Sequence, residues 1–202
     1  MESPVHFQVE YAERLSSGLA IVKVLFGQIY VLLPHFFCLF FFGIAVSIVL
    51  FIAWWAILFT GKFPKRMFDF ILRYYRWALR VIVYFPLFMT DQYPPFTGIK
   101  NVPGYTAMEF DIDYPEKLNR GTLLLKTFFG WIYVMIPHVF VLYFLLILSY
   151  IMVFISFWTV LFKGHYRQIW QDEITKIISW SLRVQAYSGL FMTDSYPPFS
   201  LG

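Results

Sequence analysis

The chain has 202 residues, 59% of them hydrophobic and 23% aromatic, with only 14% charged. A soluble globular domain carries about 25% charged and 45–50% apolar residues, so disorder, a disulfide-stapled secreted scaffold and an ordinary soluble enzyme are excluded together and a membrane protein is indicated. The formal charge of +4 and pI near 9.1 do not point to nucleic acid, because most Lys and Arg stand beside or inside apolar segments, as in proteins that face an anionic cytoplasmic leaflet.

The first 18 residues carry Pro4, His6, Glu10 and Glu13 and lack a basic start followed by an apolar run. We therefore expect no cleavable signal and a cytoplasmic N-terminus. Cys38 is the one cysteine, which leaves no intramolecular disulfide and no Cys-based zinc site to consider.

A repeat dominates the rest. Glu13-Arg14-Leu15 returns as Glu116-Lys117-Leu118, Pro34-His35 as Pro137-His138, Trp55 as Trp158 and Gly61 as Gly164. Trp77 and Leu79-Arg80-Val81 return as Trp180 and Leu182-Arg183-Val184, and Met89-Thr90-Asp91 followed by Tyr93-Pro94-Pro95-Phe96 returns as Met192-Thr193-Asp194 followed by Tyr196-Pro197-Pro198-Phe199. Every pair is 103 residues apart without insertion or deletion, and 39 of the 86 positions from Tyr11 to Phe96 are identical. The chain reads as a tandem duplication: a first unit over 1–96, a linker over 97–110 with two glycines and a proline, and a second unit over 111–202.

Each unit has three parts. The first apolar stretch, Ser16–Leu33 with Lys23 inside it and Asn119–Ile136 with Lys126, is marginal in length for a hydrocarbon core of about 30 Å. The second, Pro34–Thr60 and Pro137–Lys163, has no acidic or basic side chain beyond the histidine until its end and predicts a transmembrane helix. Its proline suits a first helical turn. The third, Met67–Met89, spaces Asp69, Arg73, Arg76 and Arg80 along one helical face, repeated as Asp172, Lys176, Ser179 and Arg183. A narrow cationic face beside a broad aromatic one predicts an amphipathic helix that lies in the membrane interface, the placement favoured here, or docks beside the bundle. The fold class expected is thus all-α: a short and a long membrane helix, then an interfacial helix, twice over.

Lys62, Lys65 and Arg66 follow the first long helix, and Lys163 and Arg167 the second. The positive-inside rule places both ends, and both chain termini, in the cytoplasm. Two long helices pointing the same way then require each short stretch to form a hairpin with its long helix, turning near Pro34-His35. The competing arrangement has two spans with the short stretches lying flat.

Taken together, Tyr11-x-Glu13-Arg14-Leu15, Pro34-His35, the helix ending Trp55-x-x-Leu58-Phe59-Thr60-Gly61-Lys62-Phe63-Pro64, then Arg76-Trp77-x-x-Arg80-Val81 and Thr90-Asp91-x-Tyr93-Pro94-Pro95-Phe96 resemble the bacterial membrane family described as domain of unknown function 4389. The resemblance covers both units. The second departs from it where Lys163-Gly164-His165-Tyr166-Arg167 replaces Thr60-Gly61-Lys62-Phe63-Pro64. It implies a bacterial inner membrane and carries no activity with it.

His35 and His138 occupy identical places and could ligate haem, chlorophyll or a metal between the halves, or bond the backbone freed at the helical turn. Lys23 and Lys126 could bind a lipid phosphate, pair with an acid in the other half, or snorkel to the interface. The cationic residues Arg73, Arg76, Arg80, Lys176 and Arg183 are candidates for lipid or partner contact. Glu13, Glu116, Asp69, Asp172, Asp91 and Asp194 are structural charges, with Glu13–Arg80 or Arg80–Asp91 as conceivable pairs within a unit. The Tyr-Pro-Pro-Phe segments read as rigid straps folding back across the cytoplasmic helix ends. Phosphate loops, catalytic triads and paired intramembrane carboxylates have no counterpart among the motifs, so no catalytic residue, metal or cofactor is assigned. The function expected is a non-catalytic inner-membrane protein acting as a structural or accessory subunit, with membrane lipids and other subunits or its own copies as partners. Lipid handling or small-solute transport is the alternative, and a His-ligated pigment or haem-binding subunit a second one.

Overall fold

The computed structural model describes residues 3–201. Both apolar stretches of the first unit form one helix, α1 (Ser17–Thr60). The backbone stays right-handed helical across the join, with φ/ψ of −56°/−32° at Gly27, −63°/−47° at Leu32 and −57°/−54° at Leu33. The expected hairpin at Pro34-His35 is therefore replaced by a continuous helix. Proline has no N–H to return to the carbonyl four residues back and its ring crowds that carbonyl. Here a widened π turn at Gln28–Leu32 absorbs the ring, and the freed Tyr30 carbonyl accepts the Tyr93 hydroxyl at 3.0 Å. The second unit repeats the device in the long helix that will be α3, Arg120–Lys163, with its π turn at Trp131–Met135 and Tyr196 donating to the Tyr133 carbonyl at 3.2 Å.

Each long helix ends on a left-handed glycine, Gly61 (φ 71°) and Gly164 (φ 68°), a conformation that any side chain would strain. The Gly61 carbonyl accepts the Leu118 amide and the Gly164 carbonyl the Leu15 amide, both at 2.8 Å. The end of each long helix is thus tied to the start of the other, and the two run antiparallel. Long helices pointing the same way, as the charge pattern suggested, are not what the chain forms.

After α1, helix α2 (Lys65–Tyr84) folds back along it, with Phe42 against Phe70 and Tyr74. Helix α4 (Gln168–Val184) packs in the same way on α3 and runs into a π turn at Gln185–Gly189. The apolar face of α2, Phe68, Ile71, Leu72, Leu79 and Val83, is buried in the protein core. The helix thus docks its apolar face on the protein rather than on lipid: periodicity specifies an apolar face, not what covers it.

A two-stranded antiparallel sheet joins the units. Strand β1 (Val5–Val9) pairs with β2 (Met108–Ile112), Val5 opposite Ile112, Phe7 opposite Phe110 and Val9 opposite Met108. Phe7 and Phe110 are themselves 103 residues apart, so the central pair marks a pseudo-two-fold axis relating the units. The sheet qualifies the all-α expectation, and β2 starts inside the stretch read as linker. Helix α2 packs on β2 and α4 on β1. One layer is therefore the two long helices, and the other is α2, α4, the sheet and the straps.

Candidate functional site

The buried polar residues shared by the units, Lys23/Lys126, His35/His138 and Arg80/Arg183, find their partners within their own unit or, for Arg80, just after it. Lys23 is 1% exposed; its Nζ donates to the Thr90 carbonyl at 2.6 Å and to Asp91 Oδ1 at 3.3 Å, above the Tyr84 ring at 4.0 Å. Asp91 turns its other oxygen to the Ser16 amide at 2.6 Å, one residue before α1 begins. The second unit repeats each contact: Lys126 to the Thr193 carbonyl and to Asp194, both at 2.6 Å, the Tyr187 ring at 4.2 Å, and Asp194 accepting the Asn119 amide at 2.6 Å. A buried ammonium needs such an arrangement, since it costs several kcal/mol when left unpaired. The lysines neither snorkel nor reach across to an acid of the other half; each pairs within its own unit, out of reach of a lipid phosphate.

The histidines lie at the proline turns. His35 Nδ1 accepts Trp77 Nε1–H at 2.9 Å, and the ring stacks on Phe96 with centroids 4.0 Å apart. His138 does the same with Trp180 at 2.9 Å and Phe199 at 3.9 Å. A neutral imidazole that accepts at Nδ1 carries its proton on Nε2. In the second unit that proton is donated to the Tyr196 oxygen at 3.2 Å, and Tyr196 in turn donates to the Tyr133 carbonyl. In the first unit His35 Nε2 has no hydrogen-bond partner among the described residues. The expectation that the histidines bond freed backbone is corrected: the tyrosines of the straps do that, and the histidines bond the tryptophans.

The straps run from the start of α1, at Asp91, to the proline turn, at Tyr93 and Phe96, rather than across the helix ends. Two further residues secure them. Arg80 is buried and donates to the carbonyls of Thr97 at 2.9 Å, Ile99 at 2.8 Å and Lys100 at 3.1 Å, so neither Glu13 nor Asp91 is its partner. Arg183 donates to the Ser200 carbonyl at the matching place. Gly98 sits so close to α2 that a Cβ would lie 1.7 Å from the Arg73 carbonyl oxygen.

The remaining candidates separate. Arg76 is buried and donates to the Phe110 carbonyl and to Asp111, both at 2.8 Å, and Lys100 also bonds Asp111. Burial raises the Asp111 carboxyl, but the Lys100 bond and the Arg76 charge outweigh it and hold the group below the usual carboxylate range. Arg73 and Lys176 are exposed, Lys176 pairing with Glu173 at 2.7 Å and Asp69 with Lys65 at 2.9 Å. Glu13, Glu116 and Asp172 are exposed and make no ion pair among the described residues.

Sequence reasoning passed over Tyr84, Tyr187, Trp77 and Trp180 as partners, and the readable signal was their recurrence at the same spacing as the lysines and histidines they hold. It also passed over Phe88 and Phe191, whose φ of 58° and 56° is rare for a bulky residue. Both lie where the units meet: Phe88 contacts Phe157, and Phe191 shares an apolar groove with Trp54 and Thr127.

The chemistry of this cluster is mechanical, since it pins a strap to the π turn of a long helix. What the fold leaves open is the outer face of the long helices. Leu25, Ile29, Phe36, Phe40, Phe51 and Phe59 on α1, with Phe128, Trp131, Phe140, Tyr150, Phe154 and Phe162 on α3, are all more than half exposed. This patch far exceeds the few hundred Å² that a soluble monomer exposes.

No curated protein and no solved structure matches the chain. The family model described as domain of unknown function (DUF4389) matches it twice, over residues 23–98 and 125–200. The two matches take in both lysines, both proline turns and both straps, and the chain belongs to the DUF4389 family, with two copies of the domain in tandem.

Proposed function

We propose that the protein is a non-catalytic resident of the bacterial inner membrane that serves as a structural or accessory subunit, in contact with lipid and with neighbouring membrane proteins or its own copies. One observation carries the reading. The buried polar residues repeated in both units, Lys23/Lys126, His35/His138 and Arg80/Arg183, are spent on holding the straps and the proline turns, while the exposed surface of the long helices carries no charge from Ile21 to Phe59 and from Leu124 to Phe162 and is apolar there apart from Gln28, Ser47 and Thr127. A surface of that kind is stable against acyl chains or another apolar protein face and unstable in water. The duplication presents it twice about one axis, which suits a protein that touches two neighbours.

Extraction of the native protein in mild detergent, with mass spectrometry of everything that accompanies it, tests the role. A stoichiometric membrane-protein partner is the expected result. Emergence alone, with anionic lipid bound in fixed ratio, would replace the accessory role with lipid handling.

A further inference from the structure

Resting on the membrane reading above, we infer that the long helices do not cross the bilayer. They lie along one leaflet, with their outer face among its acyl chains and with α2, α4 and the sheet on the cytoplasmic side.

Three observations converge on this seat. The first is length. The exposed apolar stripe runs from Ile21 to Phe59 and from Leu124 to Phe162, roughly 58 Å at 1.5 Å per residue, against a hydrocarbon core of about 30 Å. Fitting it across would take a tilt of about 60°, beyond the 0–40° range of transmembrane helices.

The second is what lies beside the stripe. Helix α2 follows α1 with Tyr74 packed on Gly43, well inside the long helix. Exposed Arg73 and the Arg76–Asp111 pair are on the neighbouring turns, and the two-stranded sheet is attached there. A crossing α1 would carry an exposed arginine and the exposed polar face of a two-stranded sheet to bilayer depth, where such groups have no water to bond. Along a leaflet, the same groups stay in the headgroup layer or the cytoplasm. The faces agree: α1 exposes no charged residue, α3 exposes only its terminal Arg120 and Lys163, and the sheet exposes His6, Gln8 and Glu109.

The third is symmetry. The two-fold axis makes the long helices antiparallel. If they crossed, the axis would lie in the membrane plane and the basic turns at Lys62-Lys65-Arg66 and Lys163-Arg167 would face opposite compartments, against the positive-inside rule. With the axis along the membrane normal, both turns face the same anionic leaflet.

Single cysteines test this in a Cys38→Ser background of the full chain. Lys62→Cys, Lys163→Cys and Glu109→Cys, all at exposed positions, are treated with an impermeant maleimide in inside-out and right-side-out membrane vesicles. All three are expected to label in inside-out vesicles and to lose labelling in right-side-out ones. Labelling of Lys62→Cys and Lys163→Cys from opposite sides would overturn the in-plane seat. Nitroxides at Phe40 and Tyr143, on the outer face, identify its occupant in phosphatidylglycerol-containing vesicles. Relaxation by lipid-soluble oxygen is expected, whereas spin–spin coupling between chains with no oxygen effect would assign the face to a second copy and overturn the lipid contact. Recovery of the native protein in the soluble fraction would instead dispose of the membrane reading itself, so the two failures are told apart.

Discussion

The two units solve one problem with the same parts and then diverge in the layer that faces away from the long helices. Lys23–Asp91 and Lys126–Asp194, Trp77–His35 and Trp180–His138, and the tyrosines on the carbonyls freed by Pro34 and Pro137 correspond contact for contact. Beside the sheet they part. The first unit has Arg76 on the Phe110 carbonyl and Asp111, where the second has Ser179. The second has Gln171 reaching the Val9 and Glu10 carbonyls, where the first has Phe68 in the core. Contacts kept twice are those that a long helix with a proline turn and its strap require in order to exist; contacts kept once tune how each arm of the sheet is held.

The largest effects should fall on the shared set. Lys23→Met or Lys126→Met leaves an aspartate and a carbonyl facing an apolar side chain, and each should cost about 3 kcal/mol. Thermal unfolding in detergent is the measurement, and unequal losses would break the equivalence of the units. Arg76→Ser, which makes the first unit resemble the second, should cost about 2 kcal/mol through its two lost bonds. It also has a pH signature. The Asp111 carboxyl sits below its ordinary range in the folded state, so its contribution is complete above the unfolded pKa near 4 and disappears as pH falls through the folded value. The acid limb of a stability–pH curve should be shallower in Arg76→Ser, and an unchanged limb would rule out this coupling.

Tyr93→Phe and Tyr196→Phe sharpen the comparison further. Each leaves a freed carbonyl without its donor, worth about 1 kcal/mol, but Tyr196→Phe also strands the Nε2–H of His138 and should cost more. Equal losses would mean that the His138–Tyr196 bond adds nothing. The smallest effect belongs to Lys65→Ala, which removes an exposed pair with Asp69 and should change stability by only about 0.3 kcal/mol.

The duplication and the two long apolar helices follow from residue spacing alone, whereas the partners weighed for Lys23, Lys126 and Arg80 are not the ones the chain uses. The continuity of α1 through Pro34 was not legible, because the residue that compensates the proline, Tyr93, lies 63 positions away. The sheet escaped notice although Val5-His6-Phe7-Gln8-Val9 and Met108-Glu109-Phe110-Asp111-Ile112 alternate apolar and polar. Five residues of alternation carry little weight without a partner, and the partner was the other copy. The destination of Arg76 was hidden for the same reason: a helical cationic stripe looks alike whether it meets lipid headgroups or a strand edge.

A register that sets Phe7 against its own counterpart is the one that two separate copies of a unit would adopt about a two-fold axis. The chain therefore has the geometry of a homodimer whose subunits have been joined end to end. In a true homodimer every substitution is made twice, so an arginine beside one arm of the sheet brings a second arginine beside the other. Joining the copies removes that obligation, and the single Arg76, Gln171 and Gly98 show three positions where the freedom has been taken.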